Sequence, residues 1–186
     1  MFCMKWNVLS SEYLFRHEPY VVLRKDVCSQ PNGKIVPAYY VAELPPCVII
    51  FPVVNNKVVM IKQYRHPVEE VLWELPGGFI EKDELPEKAA MRELIEETGY
   101  SFSSVTFLGK TAANPGILNN YTYLFFAEGE HEITRQQPDD NEDIEIGFFS
   151  FEELKEMIFK NEIIQSMHLN VCFLALMHLG KLQFTY

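Results

Sequence analysis

The sequence predicts an α+β fold, a mixed β-sheet flanked by helices and preceded by an N-terminal antiparallel β region. Three observations carry this. Runs rich in β-branched and aromatic residues come first, then one helical segment, then more such runs, then two helical segments, an order that suits strands and helices sharing one core. Pro31-Asn32-Gly33 lies between two early runs as a hairpin signature. Pro86 and Gly99 bracket the first helical segment, Pro where a missing N–H costs nothing and Gly just past the end. The organisation read from this is residues 1–45 as the β region and 46–186 as the main domain.

Taken in order, Tyr20–Arg24 and Tyr39–Leu44 flank the hairpin signature, and Pro45-Pro46 punctuates the chain. Cys47–Val54 and Lys57–Tyr64 flank Asn55-Asn56 and read as a second strand pair. Val71–Leu75 is a short strand running into Pro76-Gly77-Gly78, after which Pro86 opens the helix. Val105–Gly109, Tyr121–Ala127 and Ile144–Phe149 read as strands, and Phe151–Phe159 and Ile164–Leu179 as helices.

A chain of 186 residues supports one sizeable domain with a small appended element. Its 48% apolar and 23% charged residues exclude disorder and coiled coil. The net charge of −10 runs against nucleic acid as a partner, because phosphate contacts need basic patches. That charge is local. Residues 81–97 hold seven acids against three bases, and residues 139–145 hold five acids and no base. Cys3, Cys28, Cys47 and Cys172 are scattered, with neither disulfide nor zinc spacing. The first residues are too polar for a signal peptide, and the longest apolar stretch, Val171–Met177, is far short of the ~20 residues a membrane span needs. A reduced, cytoplasmic protein without membrane partners is expected.

The first helix carries the chemistry. At about 100° per residue, Glu93, Glu96 and Glu97 fall within an arc of about 100°, beside the small residues Ala89 and Ala90. Leu94, Met91 and Ile95 form the face expected to pack into the core. Glu93 and Glu97 stand four residues apart with like charge, which a helix built for stability avoids and a functional site tolerates. Oxygen-only donors on one face suit a hard divalent cation such as Mg²⁺ or Mn²⁺.

Gly78, Glu84, Arg92, Glu93, Glu96, Glu97 and Gly99 fit the spacing G-x5-E-x7-R-E-U-x-E-E-x-G-U, with Leu94 and Tyr100 at the two U positions. Seven fixed positions arise by chance at ~10⁻⁸ per window. This pattern resembles the Nudix box of the Nudix hydrolases, with Tyr100 departing from the usual aliphatic residue. Gln63-Tyr64-Arg65, Glu74-Leu75-Pro76-Gly77-Gly78 and Pro115-Gly116, the proline fifteen residues after the box, resemble the ADP-ribose pyrophosphatase branch.

The resemblance implies an α/β/α sandwich that hydrolyses the pyrophosphate of a nucleoside diphosphate sugar with Mg²⁺ or Mn²⁺. It implies Glu93, Glu97 and Glu96 as metal ligands together with the carbonyl of Gly77, and Gly78, Glu84, Arg92 and Gly99 as structural members of the box. Arg65, Pro115 and Gly116 become substrate contacts, and Trp6, Tyr39 or Tyr40 a stacking partner for the base. In the acidic loop, Asp140 takes the place of a general base and Glu142 that of a further metal ligand. Residues 1–45 become a dimerisation region, giving a homodimer. Ile117-Leu118-Asn119-Asn120 departs from the Ser, Asp or Glu common after the Pro-Gly, which leaves the sugar open. The alternatives are a Nudix hydrolase for a GDP-hexose or another nucleotide, and a non-catalytic nucleotide-sugar sensor.

Overall fold

The computed structural model describes residues 4–132 and 143–182, so the proposed base and ligand positions Asp140 and Glu142 lie outside the described residues. The chain divides into two compact units, residues 1–46 with 112–121, and residues 47–111 with 122–186.

The first unit is a three-stranded antiparallel sheet, β1 (Asn7–His17), β2 (Val21–Ser29) and β3 (Ile35–Glu43), in that order. β2 and β3 are longer than the runs read from the sequence, and β1 has no counterpart there. Its eleven residues are all exposed and its pairing breaks register between Val8 and Ser10 and between Tyr13 and Phe15, so no strict two-residue period marks it. At the centre, Asp26 is buried and accepts from Ser11 and Arg24, while Arg24 also pairs with Glu43. The stretch 112–121 joins this unit through a bridge between Ala42 and Leu118.

The second unit is a mixed sheet between helices. β4 (Cys47–Val54), β5 (Lys57–Arg65), β6 (Glu70–Glu74), β7 (Tyr100–Thr111) and β8 (Thr122–Glu132) run in the order β6-β5-β4-β8-β7, and β9 (Glu145–Phe149) pairs with β5. β4 and β8 are parallel, and the remaining pairs are antiparallel. The near-continuous apolar run of β4 follows from burial on both faces. Val48, Ile50 and Val54 join Ala89, Ala90 and Leu94 of α1 (Pro86–Thr98) on one side. Ile49, Phe51 and Val53 join α2 (Phe151–Phe159) and α3 (Ser166–His178) on the other. This is the α/β/α sandwich expected. Asn55 and Asn56 both take positive φ in the two-residue β4–β5 turn, a conformation asparagine tolerates.

α1 begins with Pro86 and ends on Gly99, whose φ of 72° closes the helix in the left-handed region. Leu94 packs into the core as expected, but the rest of the buried face is shifted. Ala89, Ala90, Leu94, Glu97 and Thr98 are buried, whereas Met91 and Ile95 are only partly so. The two alanines serve close approach of helix to sheet rather than room around carboxylates. The glutamate edge of the helix therefore lies at the margin of the core.

Candidate active site

Glu97 is 2% exposed, a carboxylate that burial would penalise without partners. The backbone N–H of Gly77 donates to its Oε2 at 2.8 Å. Gly77 and Gly78 are dictated by close approach. A Cβ on Gly77 would strike the carbonyl oxygen of Val48 and come within 2.9 Å of Ile49 Cα. A Cβ on Gly78 would lie 2.6 Å from Cδ and 2.7 Å from Oε2 of Glu93. The loop is pinned to β4 on its other side, since Val48 N donates to the Gly78 carbonyl and Ile50 N to the Pro76 carbonyl, both at 2.9 Å. In extended backbone, a residue's own N–H and C=O point to one side and its neighbours' to the other. The carbonyls on either side of Gly77, those of Pro76 and Gly78, accordingly face β4.

Arg92 ties the rest of the box together. Its Nε and Nη2 donate to the two oxygens of Glu84 at 3.0 and 3.1 Å, and Nη2 also reaches the Phe79 carbonyl at 3.0 Å. Its Nη1 donates to Glu93 Oε1 at 2.8 Å and to Glu96 Oε2 at 2.9 Å. The hydrogen bonds it donates to Glu84 first, and then the charge and hydrogen bonding of Glu93 and Glu96, hold the guanidinium pKa well above its usual value. The same pairing holds the Glu84 carboxyl below the usual carboxylate range. Glu84 additionally accepts from Glu81 N at 2.9 Å, stapling the loop before the helix. Tyr100, the aromatic departure from the box, packs edge-on against Phe148 with ring centroids 5.7 Å apart.

Among the described residues no three His, Cys, Asp or Glu side chains are arranged as a closed metal cage, and Arg92 bridges Glu93 and Glu96. The donor set nevertheless fits a hard divalent cation: its atoms are carboxylate and carbonyl oxygens, and Gly78 keeps clear the space beside Glu93 that a side chain would fill.

Arg65, at the end of β5, donates from Nε and Nη2 to the same oxygen of Glu74, at 2.9 and 2.6 Å. Glu74 is 1% exposed and also receives Gln63 Nε2 at 3.1 Å and Gln165 Nε2 at 3.4 Å. Next to it, Leu75 N donates to Nδ1 of the buried His168 at 2.8 Å. Burial, and then the charge of Arg65, push this imidazole down to a pKa of about 3, so it stands neutral. Sequence reading missed Gln63, Glu74, Gln165 and His168 as partners around Arg65. Beside the motifs that hold Gln63 and Glu74, the signal is polarity out of place, Gln63 and Glu74 in apolar strands and His168 in an apolar helix.

The other substrate candidates lie in the first unit. Pro115 and Gly116 sit in an exposed turn, and the Gly116 carbonyl accepts from the Tyr39 hydroxyl at 3.0 Å. Trp6 meets Tyr39 edge-on at 5.9 Å, while Tyr40 is exposed. Asn119 and Asn120, the neutral amides after the Pro-Gly, have a local task. Asn119 Oδ1 accepts from Leu44 N at 3.2 Å and Asn120 Nδ2 donates to the Pro45 carbonyl at 2.9 Å.

A helix edged with glutamates and a Gly-Gly loop docked against it, on a sandwiched mixed sheet, define a class of metal-assisted hydrolase. The comparisons agree. The NUDIX domain model matches residues 43–167, and the model of the nucleoside diphosphate sugar hydrolase N-terminal domain matches residues 6–42. The chain belongs to the Nudix family of pyrophosphohydrolases, whose members use divalent metal ions. It is 30% identical over 159 residues to the ADP-ribose pyrophosphatase of Bacillus subtilis, covering 84% of this chain and 85% of the relative. It is 30% identical over 164 residues to the ADP-ribose pyrophosphatase of Mycobacterium tuberculosis, covering 87% of this chain and 79% of that one. The crystal structure of an ADP compounds hydrolase superposes with a TM-score of 0.83 at 20% identity, over 98% of this chain and all of the other, a likeness of fold.

Proposed function

We propose that this protein hydrolyses the pyrophosphate bond of ADP-ribose or a related nucleoside diphosphate sugar, giving a nucleoside monophosphate and a sugar phosphate, with Mg²⁺ or Mn²⁺ as the working ion. The observation that carries this reading is the joining of the box on α1 to an N-terminal unit of the nucleoside diphosphate sugar hydrolase type in one chain. The ADP-ribose pyrophosphatase relatives span both parts and support it.

Glu93, Glu96, Glu97 and the carbonyl of Gly77 would hold the metal, with Glu142 from the acidic loop. A bound divalent ion offsets phosphate charge and lowers the pKa of a coordinated water. The chain's own part is to keep the donors in place. Gly77 N–H fixes the Glu97 carboxylate, and Arg92 orients Glu93 and Glu96. Asp140 or Glu142 would take the proton of the attacking water. Arg65 would bind a phosphate oxygen, and Pro115-Gly116 with Trp6, Tyr39 or Tyr40 would frame the nucleoside.

Among the described residues no helix is long and apolar enough to cross a membrane. The proposed setting is the cytoplasm and the proposed state a homodimer. Val8, Leu9, Tyr13, Leu14 and Phe15, exposed along edge strand β1, support pairing through the first unit. A panel of nucleoside diphosphate sugars with Mg²⁺ or Mn²⁺, read by released monophosphate, tests the activity. Turnover of ADP-ribose above the other members is expected, and inertness to the whole panel would refute the reading. Light scattering at micromolar concentration tests the dimer.

A further inference from the structure

Arg65 and Glu74 form an asymmetric pair. The carboxylate is buried, while 40% of the arginine side chain is exposed. Gln63 and Arg65 lie on the same face of β5 as Ile61, the register partner of Glu74, so both reach along the strand to one carboxylate. Three donors meet on a single oxygen, Oε2, and Gln165 from the start of α3 meets the other. The Leu75 N–H bond to His168 anchors the adjoining backbone to the same helix. Because Nε–H and one Nη2–H share an edge of the guanidinium, using both on Glu74 leaves the outer Nη1–Nη2 edge for another partner. That outer edge has no hydrogen-bond partner among the described residues, and it is the edge that fits two phosphate oxygens.

We propose that Glu74 is a positioning residue, which clamps the inner edge of the Arg65 guanidinium so that the outer edge is presented to the substrate's diphosphate, with Gln63 and Gln165 holding Glu74 in turn. The proposal rests on the reading of Arg65 as a phosphate contact. A surface arginine loses rotamer freedom on binding an anion; one already clamped has lost it beforehand, so the clamp acts on substrate affinity. The network also makes a clean test. Gln165 Oε1 is buried without a hydrogen-bond partner. If Glu74 becomes glutamine, a turn of the Gln165 amide lets that oxygen accept from the introduced NH₂, so shape is kept and charge is lost.

The experiment measures ADP-ribose hydrolysis with Mg²⁺, Mn²⁺ affinity by electron paramagnetic resonance, and thermal unfolding. Glu74→Gln is expected to raise KM by about tenfold with little change in kcat and unchanged Mn²⁺ affinity. Arg65→Ala is expected to raise KM at least as much, and the double variant to be no worse than Arg65→Ala alone. If Arg65→Ala leaves KM unchanged, the phosphate reading fails and the clamp with it. If Arg65→Ala raises KM while Glu74→Gln does not, or if the two effects multiply, the clamp alone is overturned. Should Glu74→Gln not fold, Arg65→Lys decides. Lysine keeps the charge without two edges, so a KM like that of Arg65→Ala supports the clamp and a wild-type KM overturns it.

Discussion

The Gly77 N–H donates to Glu97 Oε2 at 2.8 Å across 20 residues of chain, joining the end of the glycine loop to the last turn of α1. A buried carboxylate is thereby held by backbone.

Glu97→Gln keeps an oxygen for Gly77 but loses the charge. Turnover is expected to fall by at least about a hundredfold at saturating Mg²⁺, with melting temperature within a few degrees of wild type. Glu97→Ala also strands the Gly77 donor, adding a stability loss of about 1–3 kcal/mol. Near-normal turnover of the glutamine variant would remove Glu97 from the ligand set.

The two glycines should respond differently. Gly78→Ala meets a side chain, Glu93, which can rotate away, so activity is expected to collapse while the fold persists. Gly77→Ala meets the backbone of Val48 and Ile49, which cannot move without parting the loop from β4, so it is expected to cost upwards of ~2 kcal/mol in denaturant melts. Equal stability of the two variants would contradict this division.

Glu84 is held below the usual carboxylate range chiefly by its hydrogen bonds with Arg92. A depressed folded pKa contributes stability that is present above the unfolded value and is lost as pH falls through the folded one. Melting curves from pH 7 to pH 3 should therefore show Glu84→Gln less stable than wild type at neutral pH, with the gap closing in acid. A gap independent of pH would mean the carboxylate charge contributes nothing.

His168 acts in the same acid range through burial. Its folded pKa of about 3 lies below the ordinary 6.5, so between these values the unfolded chain binds a proton that the folded one refuses. Stability is then lost as pH is lowered, by up to about 1.4 kcal/mol per unit over that window. His168→Gln leaves an acceptor for Leu75 N–H and should flatten the dependence of melting temperature on pH. Parallel curves for the two proteins would show that the folded imidazole does protonate.

The box was legible because its spacing is local. Pro86, Arg92, Glu93, Glu96, Glu97 and Gly99 stand on one helix with its two ends marked, and helical pitch alone groups the carboxylates. The same wheel sets Met91 and Ile95 beside Leu94 in the core face, whereas the sheet buries Ala90 and Glu97 beside Leu94. Which arc of an amphipathic helix goes inward depends on what it packs against, and here small residues let α1 come close to β4. Strand β1 was missed because its exposed, bulged residues follow no period.

Turn chemistry, helix ends and motif spacing act over a few residues, and they suffice to read off the class of fold, the family and the residue types available for metal and phosphate. The packing of distant segments buries Glu97 against Gly77, lets Arg92 join four separate groups, gathers Gln63, Glu74 and Gln165 behind Arg65, and sets His168 on the adjoining Leu75 N–H. Glu74 and Gln165 are 91 residues apart, and no local periodicity encodes that meeting. It arises when α3 closes over the sheet and buried polar groups must find partners from whatever the fold brings within reach.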